Sequence, residues 1–462
     1  MEKGVRLKEH DGMEKWGYQE RPVAPSVGNI LHQAISREGV YTMQPVKRFA
    51  AILIASGLLL SACNSSTTAP AKPAETPKTS GEAPKAPASK LAGTEVRLGA
   101  IVPSSGPVAE WGKTNTAILK MVEKEINDKG GVDGKPLRII IFDSAAKPDQ
   151  AASGIRKLAS DDKVLAIAGP ALSSEAEVAF PVANQQKIVA MAQNSSKPGV
   201  SARNRPWAFR NTVDEGVYTA KSAPYFVNTF NIKTVAIVYD AKDAVGTSLG
   251  KTVLPGPLKQ LGVKILNEDD PITFSTTDVD VTAQVTKLKN LNPDGVIIGA
   301  FYNGASTILR EMKRQGFNKP VYSGATVISS AILETSPEIP IVAAATYFVG
   351  MEEGNAPDFT KRATAALKEF GNLPAGTEPN MFDASIYEII KIYVEAILKS
   401  GVTNDPKDLE ADREKIRNYV AGLNNFAGVG GRVGLNKDGD GDKQWYVVLG
   451  KGGKWTVVDT SK

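Results

Sequence analysis

From Glu95 onward, short apolar runs alternate with longer amphipathic stretches. Val96-Arg97-Leu98-Gly99-Ala100-Ile101-Val102 has the near-continuous apolar character of a strand covered on both faces. Behind it, Ile118, Leu119, Val122 and Ile126 recur at helical spacing and mark one buried face. Leu137–Phe142 then reads as a strand, Gln150–Ala159 as a helix, Val164–Ala168 as a strand, Ser174–Gln186 as a helix and Ile188–Ala192 as a strand. The alternation restarts at Thr234–Tyr239. It runs through a helix ending near Leu261, a strand near Lys264, a helix at Val281–Leu288, a strand at Val296–Ala300, a helix at Gly304–Gln315 and a strand at Val321–Tyr322. Apolar runs spaced by helices of about 10–15 residues predict parallel sheets with helices on both faces. Two doubly wound α/β halves, each with its own sheet, are the natural parse. The tail departs from alternation: two long helices, Phe382–Lys399 and Leu409–Leu423, precede a hairpin of Trp445–Leu449 and Trp455–Val458 turned around Gly450–Lys454.

Ahead of Glu95 the pattern is different. Lys47 and Arg48 precede an apolar run from Phe49 to Leu60, which is too short to cross a bilayer as a helix. A short charged segment, an apolar core and small residues before a cut site form a secretory signal. Its end, Leu60-Ser61-Ala62-Cys63, resembles the lipobox of bacterial lipoproteins, in which the cysteine is acylated and becomes the mature N-terminus. Residues 43–62 are therefore expected to be a lipoprotein signal peptide and Cys63, the sole cysteine, a lipidation site. Residues 1–42, with His10 and His32, show no periodicity and read as an extension from an early start; Arg37-Glu38-Gly39 fits a purine-rich ribosome-binding sequence ahead of Met43. The rival reading is a genuine cytoplasmic extension. Residues 63–94 read as acylated cysteine and tether, because Ser65–Ala92 is rich in Pro, Ala, Ser and Lys, has no aromatic residue and has only Leu91 as a large aliphatic. Such a segment buries too little apolar surface to offset its ordering entropy. It would span about 30 Å on average and about 85 Å fully extended.

Composition narrows the chemistry. Beyond residue 62 there is no histidine, which excludes Ser-His-Asp and Cys-His nucleophiles and histidine-ligated metals. Carboxylate or Ser-Lys chemistry stays open, yet an enzyme is not expected, nor a cofactor or resident metal. Residues 1–62 hold eight of the 55 basic and six of the 50 acidic residues, so the remainder carries 47 and 44, a formal +3. That balance does not suggest nucleic-acid binding. Without paired cysteines, a hydrophobic core must hold the chain together. Asn436-Lys437-Asp438-Gly439-Asp440-Gly441-Asp442 resembles the first half of a calcium loop, but the twelfth position is Val447 and no bidentate glutamate is available there. A tight polar turn is expected instead, and no GxxxxGK[ST] phosphate loop occurs.

Three segments carry a family resemblance: Gly99–Gly112 (GAIVPSSGPVAEWG), Ile126–Ser144 (INDKGGVDGKPLRIIIFDS) and Ile167–Ser174 (IAGPALSS). They resemble the leucine/isoleucine/valine-binding proteins, solute receptors of ABC importers with the type I periplasmic-binding-protein fold. The resemblance covers about Glu95 to Val458 in the family's order. It implies two lobes joined by three crossings, near Val213, Gly350 and Gly428. Lobe 1 would be 95–213 plus 351–428, and lobe 2 would be 214–350 plus 429–462. Open α/β sheets bind ligands beyond the carboxyl ends of their strands, so the solute would sit between the lobes.

The resemblance also implies site residues. Ser173 and Ser174, where a strand passes into a helix, would hold a carboxylate with the free N–H groups of the first turn; Ser173 as a plain helix N-cap is the bland alternative. In the following loop Ser195 would offer its carbonyl and Ser196 its hydroxyl. Trp111 takes an aromatic cleft-wall position, and Val245 and Phe301 fall at two wall positions where core packing is the alternative. Ala325 is the informative departure, because amino-acid-binding relatives place a glutamate there to pair with the ligand ammonium. A buried ammonium without an anionic partner costs several kcal/mol. Either another carboxylate substitutes, with Asp243 and Glu352 nearest, or the solute has no amine and an amine-free acid binds at least as well. The implied partners are a small solute, a branched-chain or other hydrophobic amino acid or a related carboxylate, and an ABC permease in the cytoplasmic membrane. The implied location is extracytoplasmic, lipid-anchored in the periplasm or on the outer face of the cell membrane. The alternative function is a ligand-sensing or regulatory lipoprotein acting on a membrane sensor or cell-wall enzyme.

Overall fold

The structure, a computed structural model, describes residues 90–460. Residues 1–42, the expected signal peptide, Cys63 and the expected tether through residue 89 lie outside the described residues.

The chain opens with β1 (Val96–Val102), α1 (Ala109–Asp128), β2 (Leu137–Asp143), α2 (Pro148–Arg156), β3 (Ile167–Ala168), α3 (Ser173–Gln185), β4 (Ala190–Ala192) and β5 (Ala208–Arg210). These strands form one parallel sheet in the order β2-β1-β3-β4-β5. The second lobe follows with α4 (Glu215–Phe230), β6 (Thr234–Asp240), α5 (Ala244–Ser248), α6 (Pro255–Gln260), β7 (Lys264–Ile265), β8 (Ile272–Phe274) and α7 (Thr282–Leu291). It continues with β9 (Gly295–Gly299), α8 (Tyr302–Arg314), β10 (Val321–Ser323), α9 (Ser330–Thr335) and β11 (Ile341–Ala345). Every residue of β9 and β11 is buried, as central strands covered on both faces require.

The chain then returns to the first lobe, where α10 (Ala356–Phe370) and α11 (Met381–Lys399) pack on α1, and α12 (Leu409–Ala421) packs on α11. A small antiparallel sheet of β12 (Phe426–Ala427), β13 (Arg432–Leu435) and β14 (Gly441–Lys443) leads to a hairpin, β15 (Tyr446–Lys451) and β16 (Lys454–Thr460). The hairpin turns at Gly452 and Gly453, both at positive φ (60° and 80°), the combination a tight two-residue turn demands. It closes the second sheet, β16-β15-β11-β10-β9-β6-β7 with β8 beside β6, as an antiparallel edge. The architecture is thus two α/β lobes joined by three crossings. Among the described residues no helix is long and apolar enough to cross a membrane.

Several boundaries differ from the sequence reading, each for a local reason. The helix expected over Gln150–Ala159 is α-helical only to Arg156 and ends in a π-turn, Lys157–Asp161. Of the strand expected at Val164–Ala168, only Ile167–Ala168 joins the ladder; the Val164 carbonyl accepts instead from the buried Arg413 guanidinium at 2.8 and 3.0 Å. The tether ends earlier than residue 94, because Leu91 is buried and the Ala92 N–H donates to the Thr403 carbonyl at 2.7 Å. The third crossing falls later than Gly428. β13 still pairs with β12 and β14 with β13, the Leu435 N–H donates to the Leu423 carbonyl, and the Gly441 N–H donates to the Thr212 carbonyl, so the chain joins the second sheet only at Tyr446.

Candidate functional site

The carboxyl ends of β3 and β4 and the first crossing converge on one polar cluster. Ser173 is the first residue of α3, so it is not the N-cap; Leu172 takes that place, and its N–H donates to Glu175 Oε2 at 2.9 Å. The Ser173 hydroxyl is thereby left to face the next loop. It lies 2.8 Å from the Ser195 hydroxyl and accepts the Lys197 N–H at 3.3 Å. Ser174 is half-buried one position along.

Ser195 does not present its carbonyl as expected. That oxygen accepts from Arg210 Nη1 at 3.3 Å and from the Thr212 hydroxyl, which occupies both lone pairs. Ser195 contributes through its hydroxyl. Ser196 Oγ is buried and lies against the Glu215 carboxylate.

Arg210, fully buried on β5, organises this loop. Its guanidinium donates to Asp440 at 2.6 Å, to Asp214 at 2.7 Å and to the Lys197 carbonyl at 2.6 Å. One cation thus ties the serine loop to the first crossing and to the turn after β13. That turn is the calcium-like segment. Asn436 Oδ1 accepts the N–H groups of Asp438 and Asp440 at 2.9 and 3.0 Å, which frees the Asp440 carboxylate for Arg210. A second buried pair, Lys443 with Glu388 at 2.6 Å, lies beside it; Glu388 also accepts from Asn211 and from the Val429 N–H.

Facing Ser196 is a residue the sequence reading missed. Glu215 begins α4, directly after the N-cap Asp214, whose carboxylate takes the Gly216 N–H at 2.8 Å. The Glu215 N–H donates to the Ser196 carbonyl at 2.9 Å. Its side chain is 1% exposed, and the Ser196 hydroxyl and the Ala325 N–H lie against its carboxylate. A methyl group placed on Gly324 would sit 2.6 Å from Oε1, which puts the carboxylate beside Gly324-Ala325. Burial pushes this carboxyl up to about 7, with the Ser196 hydroxyl and the Ala325 N–H pulling the other way. The Tyr218 hydroxyl, one turn on, is also buried without a partner, and its ring meets Trp445 edge-on at 5.2 Å.

Neither carboxylate expected to stand in for residue 325 does so. Asp243 caps α5, with its two oxygens taking the Val245 and Gly246 N–H groups at 3.1 and 2.6 Å. Glu352 is exposed. Ala325 itself is buried in a 3₁₀ turn after β10. The pair Asp214-Glu215, placed right at the predicted crossing, was the one available signal for the missed acid.

The apolar wall is assembled across the lobes. Trp111 meets Phe301 edge-on at 4.8 Å, Tyr302 at 5.6 Å and Phe382 at 4.8 Å. Gly112 lets α1 start tightly under β1, since a Cβ there would lie 2.2 Å from the Pro103 carbonyl. The Tyr302 hydroxyl donates to Glu110 and Ser330 donates to Glu378, both across the lobe junction. Val245 is buried on α5, the second-lobe helix that meets α3. Along the junction beside Trp111, Tyr302 and Trp455 lies a cavity of about 280 Å³. The two lobes therefore touch through these side chains and through α3 and α5.

Residues 95–454 match the model of the periplasmic binding protein family, and the chain belongs to that family. It is 24% identical over 353 residues to the leucine-, isoleucine-, valine-, threonine- and alanine-binding protein of Pseudomonas aeruginosa, covering 76% of this chain and 88% of that one. Two solved structures share the fold. The branched-chain amino acid transporter substrate binding protein LivJ of Streptococcus pneumoniae, in complex with isoleucine, aligns at TM-score 0.68 and 21% identity, over 79% of this chain and 99% of that one. An ABC-transporter solute binding protein of Rhodopseudomonas palustris, in complex with 3,4-dihydroxybenzoic acid, aligns at 0.68 and 20%, over 80% and 97%. These relatives are binding proteins rather than enzymes, and the family places the chain outside the cytoplasm.

Proposed function

We propose that this protein is the solute receptor of an ABC importer, anchored to the membrane through an acylated Cys63. Its ligand is a branched-chain or other hydrophobic amino acid, or a related small carboxylate, held between the lobes. The observation that carries the reading is the Ser173–Ser195–Ser196 cluster at the strand ends of lobe 1, together with the Trp111–Phe301 contact that joins the two lobes. Ser173, Ser174 and Ser196 take the carboxylate with the open N–H groups of α3. Trp111, Phe301 and Val245 take the apolar part, and Ala325 leaves room on the second-lobe side. The ligands named for the two structural neighbours, isoleucine and a dihydroxybenzoate, bracket the same class.

The test is mass spectrometry of small molecules released on denaturing the purified protein. A small amino acid or carboxylate is expected; a sugar or a nucleotide at stoichiometric level overturns the reading. The anchor is tested by Cys63→Ala, which is expected to abolish partition into detergent because the acyl chains supply the attachment.

A further inference from the structure

The amino ends of the lobe 1 strands, opposite the serine cluster, carry a second arrangement of charged groups. A cavity of about 520 Å³ opens there between α12 and the segments that lead into β4 and β5. Three cations line it: Lys187 ahead of β4, Arg205 ahead of β5 and Arg417 on α12. The Trp207 N–H donates to Asn184 Oδ1 at 3.2 Å, and the Arg417 guanidinium lies 5.1 Å from the Trp207 ring centre. The Arg205 guanidinium lies 4.0 Å from the Phe209 ring centre, so aromatic faces position both arginines. Two carboxylates share the lining, and each already has a cation: Glu410 pairs with Lys187, and Glu414 with Arg417 at 2.9 Å. Both glutamates are more than half exposed, so these are surface pairs of small worth that an incoming anion can displace. Arg205 makes no ion pair among the described residues. Its Nη1 donates to the Ala208 carbonyl at 2.9 Å, and the two aspartates that act on it, Asp438 and Asp440, pair with Lys437 and Arg210. Burial and the Arg417 charge hold the Arg205 guanidinium below the ordinary arginine range. Arg417 Nε is buried with no hydrogen-bond partner. The cavity thus holds one cation in excess and guanidinium donors that the protein itself does not use.

Two guanidiniums on one concavity fit an anion with several oxygens, because each planar fork donates to a pair of them. The point where the chain enters lobe 1 indicates which anion. The Ala92 N–H donates to the Thr403 carbonyl at 2.7 Å, and the Asn404 amide donates to the Ala92 carbonyl at 2.9 Å, at the amino end of β1 and just ahead of α12. Entry point and cavity therefore share one pole of lobe 1, and Cys63 stands 27 residues before Lys90. We propose that this cavity docks the phosphate group of an anionic membrane lipid, seating the pole of lobe 1 on the bilayer that carries the anchor. The serine cluster lies at the opposite ends of the same strands, so the docked receptor holds its solute site away from the membrane. The choice of a lipid rests on the acylated Cys63 of the reading above; the fit of the cavity to an oxyanion does not.

The experiment is co-sedimentation of the full chain, carrying Cys63→Ala so that no acyl chain contributes, with two kinds of vesicle: phosphatidylcholine alone, and phosphatidylcholine mixed with phosphatidylglycerol. The apolar run Phe49–Leu60 is common to every arm, so differences between variants read the cavity. Binding is expected to favour the phosphatidylglycerol vesicles, and Arg205→Ala and Arg417→Ala are each expected to weaken it about fivefold. Arg205→Lys with Arg417→Lys keeps the charge and is expected to keep most of the preference, which separates lost cations from a lost fold. Lys264→Ala with Lys454→Ala removes two exposed cations of the second lobe and is expected to change binding by less than about twofold. Equal binding to both vesicles, or an equal loss in the second-lobe pair, overturns the proposal. So does a melting temperature raised by inorganic phosphate over chloride at matched ionic strength, lost in Arg205→Ala with Arg417→Ala and unaccompanied by any vesicle preference; the cavity is then a site for free phosphate. Detergent partition of the wild type tests the anchor separately, and its failure leaves the vesicle arms to decide the cavity.

Discussion

The starts of α4 and α5 resemble each other closely. Each has an aspartate at its N-cap, Asp214 and Asp243, and each places a buried acid within the second lobe. At α5 the cap and the buried acid are the same residue, and helix N–H groups consume both oxygens. At α4 the two jobs are divided. Asp214 caps the helix and pairs with Arg210, while Glu215 is buried against the Ser196 hydroxyl and the Ala325 N–H. Burial and a raised pKa are common to both acids, so neither property identifies a binding group.

The largest expected effect concerns what holds the α4 start in place. Arg210→Ala leaves Asp214 and Asp440 partly buried without their cation and frees the Ser195 and Lys197 carbonyls. A loss of about 3–5 kcal/mol in urea unfolding is expected. A loss below about 1 kcal/mol, the usual worth of a surface pair, would mean that this junction is wetter than its geometry indicates.

The next effect is in pH. The Glu215 carboxyl is raised from 4.5 to about 7 on folding, so the folded state holds its proton more tightly than the unfolded state. Its contribution is full below the unfolded value and is lost as pH rises through about 7, an amount of about 3 kcal/mol at most. Solute-free wild type should therefore lose stability relative to Glu215→Gln between pH 5 and pH 8. Parallel pH profiles of the two melting temperatures would break the comparison.

The smallest effect is the control at α5. Asp243→Ala removes a cap and should cost about 1–2 kcal/mol at pH 8, where Glu215→Gln is expected to stabilise. Opposite signs from two buried acids at neighbouring helix starts would separate an acid held by helix N–H groups from one that is not; the same sign for both would show that Glu215 is held as firmly as Asp243.

Much of the fold was legible along the chain. β1 and the buried face of α1 follow from apolar runs and helical spacing alone. What escaped included the long helices α4 and α10 and the buried strand β11, beside shorter elements. β5 is three residues long and holds its place through neighbours, and β8 pairs only along β6. At the site, Ser173 begins α3 beside Ser195, and Trp111 meets Phe301 across the lobes. The Ser195 carbonyl departs from the expectation, because its partners Arg210 and Thr212 lie 15 and 17 residues away in the chain. The calcium-like run is a polar turn, but its connection to Arg210 spans 230 residues and has no local signature.

By itself the sequence determined the periodicities, and with them two α/β halves, because side-chain spacing reports directly which faces are buried. It also excluded histidine-based chemistry and marked Cys63 as the one thiol. Only the tertiary structure decided how each buried acid is partnered. Partnering is a property of space, not of order along the chain: Asp243 is held by the N–H groups of its own helix, whereas Glu215 lies between Ser196 and the Gly324-Ala325 turn, which are 19 and about 110 residues away.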